Sequence, residues 1–495
     1  MVEIIIKNCN QCQLNGSRKE LMKLYDTFRI KHPNAWHITR FQKGKYQWDG
    51  YIKYISSYGE FKIGLLPMVY NTLKSWGVED IKITDKRIIP NIEPIIPTQL
   101  GANYNPIKLY PRQIQAIKTL LNNKVGDTPF LICAGDYSVG FGKTLLFCAL
   151  YKAYQGNLPT ILLLNDSDLF NQFKREIPEL LPNEEDIAFI QGSKCNRWGK
   201  FNVAMVQSIS KNIRQYQQNL LDIRMVLIDE ADIIDNKTYQ TVISYLYNSF
   251  IRIGLSGTIY MNERKNGIVH NMNVRQFIGD VVDQVKLSEQ IKTGRATKVI
   301  VKMIYTGIGE KVPNDYQREY KLNIIENKES YKLSFSRMLY NYKYGRVPMV
   351  ILCKFIDHCE DLYKYYTERI NKMGLPLRVA YLHHNVKGRD KILTDIREGN
   401  IDILISTTVI ARGKNIPTLQ YLQNIASMDS QEKSIQILGR LVRKHESKNK
   451  TYLDDFIFEG TFLKRHGNHR KVYYQKQGFK VIKIEYTKKS IIVSY

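Results

Sequence analysis

The chain has 495 residues, enough for about three domains of ordinary size, and its 43% hydrophobic content excludes wholesale disorder. It carries 73 Lys and Arg against 47 Asp and Glu, a formal net charge of +26 at pH 7. Such an excess favours a polyanionic partner, of which nucleic acid is the commonest in a cell. A basic protein with no particular target would have the same balance.

The cysteines and the N-terminus predict an intracellular protein. The seven cysteines are scattered, as is typical of reduced thiols, and the Cys9–Cys12 pair has no second pair at zinc-ribbon spacing. Residues 1–6 are unlike a signal peptide, and no apolar run approaches the length of a membrane span. We therefore expect a cytoplasmic protein with no membrane partner.

Residues 1–100 predict a small α+β domain with alternating strands around 46–55. Three lysines flank three aromatic residues there: Lys43, Lys45, Lys53, Tyr46, Trp48 and Tyr51. Period-2 alternation puts Tyr46, Trp48 and Ile52 on one face, and Lys45, Gln47 and Tyr51 on the other. The lysine face would grip duplex phosphates, or else Trp48 is a core anchor and the lysines are a solvated surface.

The rest of the chain predicts α/β architecture. Four prolines at 90, 94, 97 and 106 mark a boundary near residue 100. Between 132 and 456, buried-strand runs alternate with helical segments; the runs are 161–164, 203–206, 225–228, 349–352 and 403–405. This alternation predicts parallel sheets with ligand sites at the carboxyl ends of the strands. A joint at 279–297 divides them into lobes 101–285 and 286–460, followed by a basic extension, 461–495.

A glycine loop follows the apolar run 130–133. It contains Gly140 and Gly142, and Lys143 and Thr144 open the helical stretch behind it. Strand, glycine loop and helix form a phosphate cradle, in which Lys143 reaches the β- and γ-phosphates of ATP and Thr144 binds Mg²⁺. Tyr137 stands where the full pattern has its first glycine. The alternative is a plain glycine turn entering a helix.

Two carboxylates directly follow the apolar run 225–228. Asp229 is placed to hold Mg²⁺ and Glu230 to activate the attacking water. An acidic loop after a strand is common, so the pattern gains its meaning from the glycine loop that precedes it.

Three further polar residues stand in the distal half. Read as one helix, Gln436, Arg440 and Arg443 fall at i, i+4 and i+7, and hence on one face. Two guanidiniums would stabilise transition-state charge at the γ-phosphate. The alternative is a solvated basic face.

In this order the motifs resemble those of superfamily 2 helicases and translocases, over residues 109–455. The resemblance implies two tandem RecA-like lobes after the small α+β domain, with ATP and Mg²⁺ between the lobes. It implies that Gln113 contacts adenine and that Ser256 and Thr258 couple hydrolysis to strand separation. It also implies nucleic-acid contacts by Lys174, Gln207, Ser208, Thr407 and Arg412. Asn415 stands where the family has Asp.

Segments 41–50 and 439–445 are similar to phage UvsW-type helicases, which remodel recombination and fork intermediates. This predicts an ATP-dependent DNA helicase acting on forked or junction DNA in replication, recombination or repair, in the host cytoplasm if the chain is phage-encoded. The tetrapeptide 229–232 keeps an RNA helicase as an alternative, although 436–440 departs from the RNA-unwinding pattern. The third hypothesis is a non-catalytic basic scaffold that binds nucleic acid. The intact nucleotide-site residues argue against it.

Overall fold

The computed structural model describes residues 2–40, 48–192, 197–260, 267–407, 416–446, 448–486 and 491–494. The chain divides into two units. The first contains Met1–Tyr137 and Phe141–Gln284, and the second contains Ser138–Gly140 and Val285–Tyr495. Among the described residues, no helix combines the length and the apolar character that crossing a bilayer requires.

The N-terminal part of the first unit is a small α+β domain. Its elements are β1 (Val2–Ile6), β2 (Gln11–Asn15), α1 (Arg18–Thr27), β3 (Arg29–Lys31), α2 (Ala35–Arg40), β4 (Tyr51–Lys53), β5 (Glu60–Lys62), α3 (Leu66–Ser75) and β6 (Ile81–Asp85). Four strands form a mixed sheet in the order β5-β2-β1-β6. Strands β3 and β4 form a separate antiparallel pair, here named the N-terminal hairpin, although its connection is long and contains α2. A capping box between Ser17 and Glu20 satisfies the first backbone donors of α1. The α+β prediction is confirmed.

This domain shares its core with the lobe that follows. Its apolar residues pack in one cluster with Val125, Phe130, Ile132 and Met272. The backbone also approaches closely, since a Cβ on Gly64 would lie 2.2 Å from the carbonyl oxygen of Arg275. The N-terminal domain is therefore built onto the first lobe rather than tethered to it.

The first lobe is a parallel sheet covered by helices. Its elements are β7 (Gln99–Leu100), β8 (Ile107–Lys108), α4 (Pro111–Leu121), β9 (Lys124–Val125), β10 (Thr128–Pro129), β11 (Ile132–Tyr137), α5 (Lys143–Ala153), β12 (Thr160–Leu164), α6 (Ser167–Leu180), β13 (Ile187–Ile190), β14 (Phe201–Met205), α7 (Val206–Lys211), α8 (Gln217–Asp222), β15 (Met225–Asp229), α9 (Lys237–Ser244), β16 (Ile251–Ser256), α10 (Gly267–Ile278) and β17 (Val281–Val285). The strand order is β13-β14-β12-β15-β16-β11-β17. Every residue of β12, β14, β15 and β16 is buried, as expected of strands covered on both faces.

The second lobe has the same plan. Its elements are α11 (Leu287–Lys292), β18 (Lys298–Tyr305), α12 (Tyr316–Tyr320), α13 (Lys328–Lys343), β19 (Met349–Leu352), α14 (Ile356–Lys372), β20 (Val379–Leu382), α15 (Arg389–Arg397), β21 (Ile403–Ser406), β22 (Tyr421–Asn424), α16 (Gln431–Leu441), β23 (Lys450–Ile457), α17 (Phe462–Lys476), β24 (Val481–Tyr486) and β25 (Ile491–Ser494). The order is β20-β21-β19-β22-β23-β18-β24-β25, and β25 is antiparallel to its neighbour. The prediction of two RecA-like parallel-sheet lobes is confirmed.

The basic segment 461–495 belongs to the second lobe rather than lying outside it. Strand β24 pairs in parallel with β18, and α17 buries Leu463, Arg470 and Tyr474. Gly467 lets α17 approach β23 closely, because a Cβ there would lie 2.6 Å from the Cγ1 of Ile457. Segment 461–495 has nine Lys and Arg against one acid, and this basic composition hid the signals of the amphipathic helix α17 and of strand β24 in the sequence.

Candidate active site

Three neighbouring strands of the first lobe bring the nucleotide motifs together. Strand β16 lies between β15 and β11, and all three run in parallel. Their carboxyl ends therefore meet at one edge of the sheet, which is where open α/β sheets bind ligands. Asp229 ends β15, Ser256 ends β16, and the glycine loop follows β11.

The glycine loop has a backbone that other residues rarely adopt. Gly140 and Gly142 have φ angles of 89° and 91°, in the left-handed region. Gly142 is the N-cap of α5, so Lys143 and Thr144 are the first two residues of that helix. The helix N-terminus presents backbone N–H groups and a partial positive charge, as a phosphate site requires.

Gln113 supports this loop from α4. Its Nε2 donates to the carbonyl oxygen of Phe141 at 2.7 Å, and its Oε1 accepts from the backbone N–H of Tyr110 at 2.9 Å. The side chain is buried, and a Cβ on Gly142 would lie 2.8 Å from its Nε2. The predicted adenine contact by Gln113 is untested, and here its amide shapes the phosphate loop.

Lys143 lies between the two carboxylates at the tip of β15. Its Nζ is 3.3 Å from Asp229 Oδ1 and 3.1 Å from Glu230 Oε1. Burial alone would lower the pKa of Lys143, but the charges of the two carboxylates outweigh it, so the pKa lies above its ordinary value. The lysine is therefore a fixed cation at the position where phosphate charge would enter.

The residues fit a divalent cation. Two carboxylates, those of Asp229 and Glu230, lie together around the Lys143 ammonium. Asp229 is 3% exposed, and its Oδ1 makes no hydrogen bond within the described part of the chain, although Lys143 is close enough for an ion pair. Burial and then the charge of Glu230 raise the pKa of Asp229, against the effect of Lys143. A hard cation such as Mg²⁺ prefers this kind of oxygen ligand, and the Thr144 hydroxyl is a second candidate.

Glu230 has an unusual backbone. Its φ of 49° lies in the left-handed region, which costs free energy for a residue with a side chain. The Oγ of Ser256 lies 3.2 Å from Glu230 Oε2 and 2.7 Å from Asp232 Oδ1. The backbone N–H of Thr258 in turn donates to that Oγ at 3.3 Å. Of the two residues predicted to couple hydrolysis to strand separation, Ser256 contacts the predicted general base directly, and Thr258 contacts Ser256.

The predicted nucleic-acid residues of the first lobe follow β12 and β14. Gln207 joins the two strand ends, because its Nε2 donates to Asn165 Oδ1 at 2.6 Å. Ser208 is buried, and its Oγ accepts from the backbone N–H of Gly192 at 2.7 Å, so this hydroxyl has a structural partner. Lys174 is exposed on α6. Of the three, Lys174 has the freest access to a polyanion.

In the second lobe, Thr407 follows β21 and its Oγ1 is buried with no hydrogen-bond partner in the described ranges. Arg412 and Asn415 lie outside the described residues. Gln436 and Arg440 are on α16, but the helix ends at Leu441, so the expected single helical face for all three polar residues is wrong for Arg443. The carbonyls of 442 and 443 are instead bonded by Thr297, which draws the chain away from the helix.

One cation that the motif reading missed is Lys354, two residues after β19. Its Nζ lies 3.8 Å from the centre of the Tyr316 ring. Burial, and next the charge of Lys433, lower the pKa of Lys354 to about 8. A charged residue close behind a buried strand, at the same sheet edge as Thr407, was the signal in the sequence.

The N-terminal hairpin carries a basic face. Arg29 stands opposite Lys53, and Lys31 stands opposite Tyr51, so these four side chains share one side of β3 and β4. Trp48 is half-buried and donates its Nε1–H to the carbonyl of Tyr51 at 2.9 Å, which ties the ring to the start of β4. Lys43, Lys45, Tyr46 and Gln47 lie outside the described residues.

The exposed tryptophan of this domain is Trp36 on α2, which is 63% exposed with Arg40 over its ring. An exposed aromatic ring beside cations is suited to stacking on a base. Of the three lysines predicted from the sequence, Lys53 lies on β4. Arg29 and Lys31 were missed because their place on the same face is visible only once β3 and β4 pair, and Trp36 was missed because it lies on α2.

Comparison with known families divides the chain as the two lobes do. The family described as type III restriction enzyme, res subunit, matches residues 106–261, and the helicase conserved C-terminal domain matches residues 334–445. Both matches contain motifs described above.

Individual proteins are similar at low identity. The chain is 22% identical over 360 residues to irc3 of Schizosaccharomyces pombe, named as a mitochondrial ATP-dependent helicase, over 71% of this chain and 57% of irc3. It is 20% identical over 269 residues to the ATP-dependent DNA helicase uvsW of Enterobacteria phage T4, over 53% of this chain and 51% of uvsW. The chain thus spans about half the length of these relatives.

A solved structure of similar fold is that of the ATP-dependent Type ISP restriction-modification enzyme LlaBIII bound to DNA. It has a TM-score of 0.54 and 15% identity, and covers 82% of this chain and 32% of LlaBIII. At this identity the likeness concerns the fold alone.

Proposed function

Because the chain belongs to the superfamily 2 helicases and is an ATP-hydrolysing enzyme, we propose that it moves along DNA and unwinds or branch-migrates forked and junction DNA. The observation that carries the proposal is the cluster of Lys143, Asp229, Glu230 and Ser256 at one edge of the first lobe's sheet. A nucleotide-hydrolysing site needs these charges together, and a passive nucleic-acid scaffold does not.

In this proposal each residue of the cluster has one task in ATP hydrolysis. Lys143 leaves the carboxylates and binds the β- and γ-phosphates. Asp229 and Thr144 hold Mg²⁺, which would neutralise phosphate charge when bound. Glu230 accepts the proton of the attacking water. Gln113 keeps the glycine loop shaped around the nucleotide and reads the adenine base.

Arg440 and Arg443 of the second lobe supply positive charge to the transition state, and Gln436 helps to place the water and the γ-phosphate. Charge of this kind acts mainly on kcat, since it is needed most when the γ-phosphoryl group is in transfer. Ser256 and Thr258 couple ATP hydrolysis at Glu230 to strand separation.

The tracked strand is bound through its phosphates, by Lys174, Gln207 and Ser208 in the first lobe and by Thr407, Arg412 and Lys354 in the second. Phosphate contacts carry no sequence information, so we expect little base preference and an affinity that falls with salt. The net charge of +26 agrees with this mode of binding.

The N-terminal hairpin holds a duplex arm beside the motor. Residues 18–53 contain nine Lys and Arg against three acids, more basic than the domain as a whole. Its basic face carries Arg29, Lys31 and Lys53, and cations on one face favour binding to the phosphates of a duplex. This arrangement favours a branched substrate, because one site then binds an arm while another binds a single strand.

The test of the proposal is strand exchange in a synthetic four-way junction labelled with a fluorophore and a quencher. We expect ATP-dependent separation of the arms by the wild-type chain and none by Lys143→Ala. Charge reversal at Arg29, Lys31 and Lys53 should lower junction processing while sparing ATPase stimulated by single strands. Equal loss of both activities would contradict the assignment of the hairpin.

RNA unwinding is the second candidate, favoured by the tetrapeptide Asp229 to Asp232. A duplex RNA of the same length and label distinguishes the two. Faster unwinding of RNA than of DNA would replace the DNA proposal.

A further inference from the structure

One face of α17 holds the loop that leads into α16. Residues 427–429 are three consecutive positions of that loop, and each is bonded by a different residue of α17. The pairs are the Ser427 carbonyl with His466 Nδ1 at 3.2 Å, the Met428 carbonyl with Arg470 Nη1 at 2.8 Å, and the Asp429 carboxylate with His469 Nδ1 at 2.9 Å. Two of these contacts are to backbone carbonyls, so they fix the course of the chain and not merely a side chain.

Helix α17 is itself firmly anchored. Arg470 is 1% exposed, and its Nε and Nη2 both donate to the fully buried carboxylate of Asp455, at 3.0 and 2.7 Å. Tyr474 and Asn424 donate to the same carboxylate at 2.6 and 2.9 Å. A buried carboxylate with this many donors has its hydrogen-bonding capacity satisfied, which makes the position of Arg470 well defined.

The loop needs such support because its backbone is strained. Ser427 has a φ of 48°, a left-handed conformation that disfavours residues other than glycine. The hydroxyl of Tyr316, from α12, donates to the same Ser427 carbonyl at 3.2 Å. Two side chains from different helices therefore hold the one residue whose conformation is least favourable.

Both ends of α16 are fixed as a result. The loop ends at Ser430, whose side chain caps α16 by accepting from the backbone N–H of Lys433 at 3.2 Å. At the other end, the carbonyl of Leu441 accepts from Lys448 Nζ and from Thr451 Oγ1, each at 3.2 Å. A helix held at both ends transmits the placement of the loop to the side chains it carries.

We propose that α17 is a brace for α16, and that His469 and Arg470 are positioning residues for Arg440, which α16 carries, in ATP hydrolysis. The inference rests on the proposed function, in which Arg440 stabilises the transition state together with Arg443. It gives segment 461–495 a role in turnover, in place of an external grip on DNA.

The main experiment measures kcat and KM for ATP of the full chain with saturating single-stranded DNA. The variants are His469→Ala, which removes the bond to Asp429 from a partly exposed side chain, and Tyr316→Phe, which removes one hydroxyl from the loop. Gln475→Ala is the matched control, an exposed polar residue farther along α17. Thermal melting of each variant reports folding.

We expect His469→Ala to lower kcat about tenfold, since a misplacement of about 1 Å at a catalytic group costs up to about 100-fold. The KM for ATP should stay within about twofold, because transition-state charge is affected more than ground-state binding. Tyr316→Phe should also lower kcat, and Gln475→Ala should change neither kcat nor the KM for ATP. Unchanged kcat in both loop variants, or a loss confined to KM, would overturn the brace.

A double-mutant cycle separates this inference from the proposed function. If α17 acts through Arg440, then Arg440→Ala and the double variant Arg440→Ala/His469→Ala should have equal kcat. Additive losses would show that His469 acts elsewhere and contradict the brace. If Arg440→Ala and Arg443→Ala both keep wild-type kcat, the assignment of the two arginines fails. Arg470→Lys, which keeps the charge, should retain more activity than Arg470→Ala wherever both variants melt cooperatively.

Discussion

Replacement of Arg252 by Met tests whether the N-terminal domain and the first lobe form one body. Arg252 lies on β16, the strand that ends in Ser256, and is 1% exposed. It donates to the Cys9 carbonyl at 2.9 Å, to Asn10 Oδ1 at 2.8 Å and to the Phe277 carbonyl at 3.0 Å. Burial lowers the pKa of Arg252 to about 10, so the side chain is still a cation at neutral pH.

The expected cost follows from these three bonds. Each bond to a charged donor contributes about 1.5–3 kcal/mol, but the release of a buried cation offsets part of the sum. We expect a net loss of about 3 kcal/mol in the free energy of unfolding of the first unit, as for other broken buried charge networks. For a unit of this size that corresponds to a fall in Tm of about 6 °C.

The assay is thermal denaturation together with limited proteolysis of the extended segment 86–98, where Ile88 and Ile95 are exposed. Arg252→Met should melt earlier and be cut faster in that segment. Arg214→Met, at an exposed arginine of the same lobe, should change Tm by less than about 1 °C, as surface substitutions do. A wild-type Tm and cleavage rate for Arg252→Met would refute the shared core.

Three further outcomes follow from the site. Lys143→Ala should abolish ATP hydrolysis and leave DNA binding at low salt intact; wild-type turnover would contradict the nucleotide site. Glu230→Gln should still bind ATP, measured by a fluorescent analogue, but hydrolyse it at least about tenfold more slowly, the lower limit for a general base. DNA affinity should fall several-fold from pH 7 to pH 9, because Lys354, with a pKa of about 8, loses its charge as the pH rises through that value. Lys354→Gln should remove this part of the pH dependence, and an unchanged pH profile would exclude Lys354 from the contact.

The sheet lobes and the nucleotide motifs could be predicted because they depend on local sequence. A buried parallel strand is a continuous apolar run, and its carboxyl end is marked by the next polar residues, as in 225–230. The strand predictions at 161–164, 225–228, 349–352 and 403–405 are confirmed. The run 203–206 is one residue too long, since Val206 begins α7.

What the sequence could not predict depends on contacts between distant residues. Strand β1 pairs with β6 about 80 positions later, and Arg252 bonds Cys9 across 243 positions. For this reason a deletion of residues 1–100 would expose Phe130 and Ile132 and destabilise the first lobe. Charge reversal on the hairpin is the better test.

The prediction that one helix carries Gln436, Arg440 and Arg443 failed for a similar reason. Periodicity continues to predict a helix through Val442 and Arg443, because neither residue is a helix breaker. The helix nevertheless ends at Leu441, where Lys448 and Thr451 take its last carbonyl and Thr297 takes the next two. Only the tertiary partners specify the end.

The most direct test of the proposed activity compares ATPase rates of the full chain with no nucleic acid, single-stranded DNA, a forked duplex, a four-way junction and RNA of matched length. All arms use the same nucleotide concentration and ionic strength, because phosphate binding depends on salt. We predict the highest kcat/KM for nucleic acid with the fork or the junction, and weaker stimulation by RNA. Stimulation by RNA alone, or the same rate with every DNA, would contradict a motor for branched DNA.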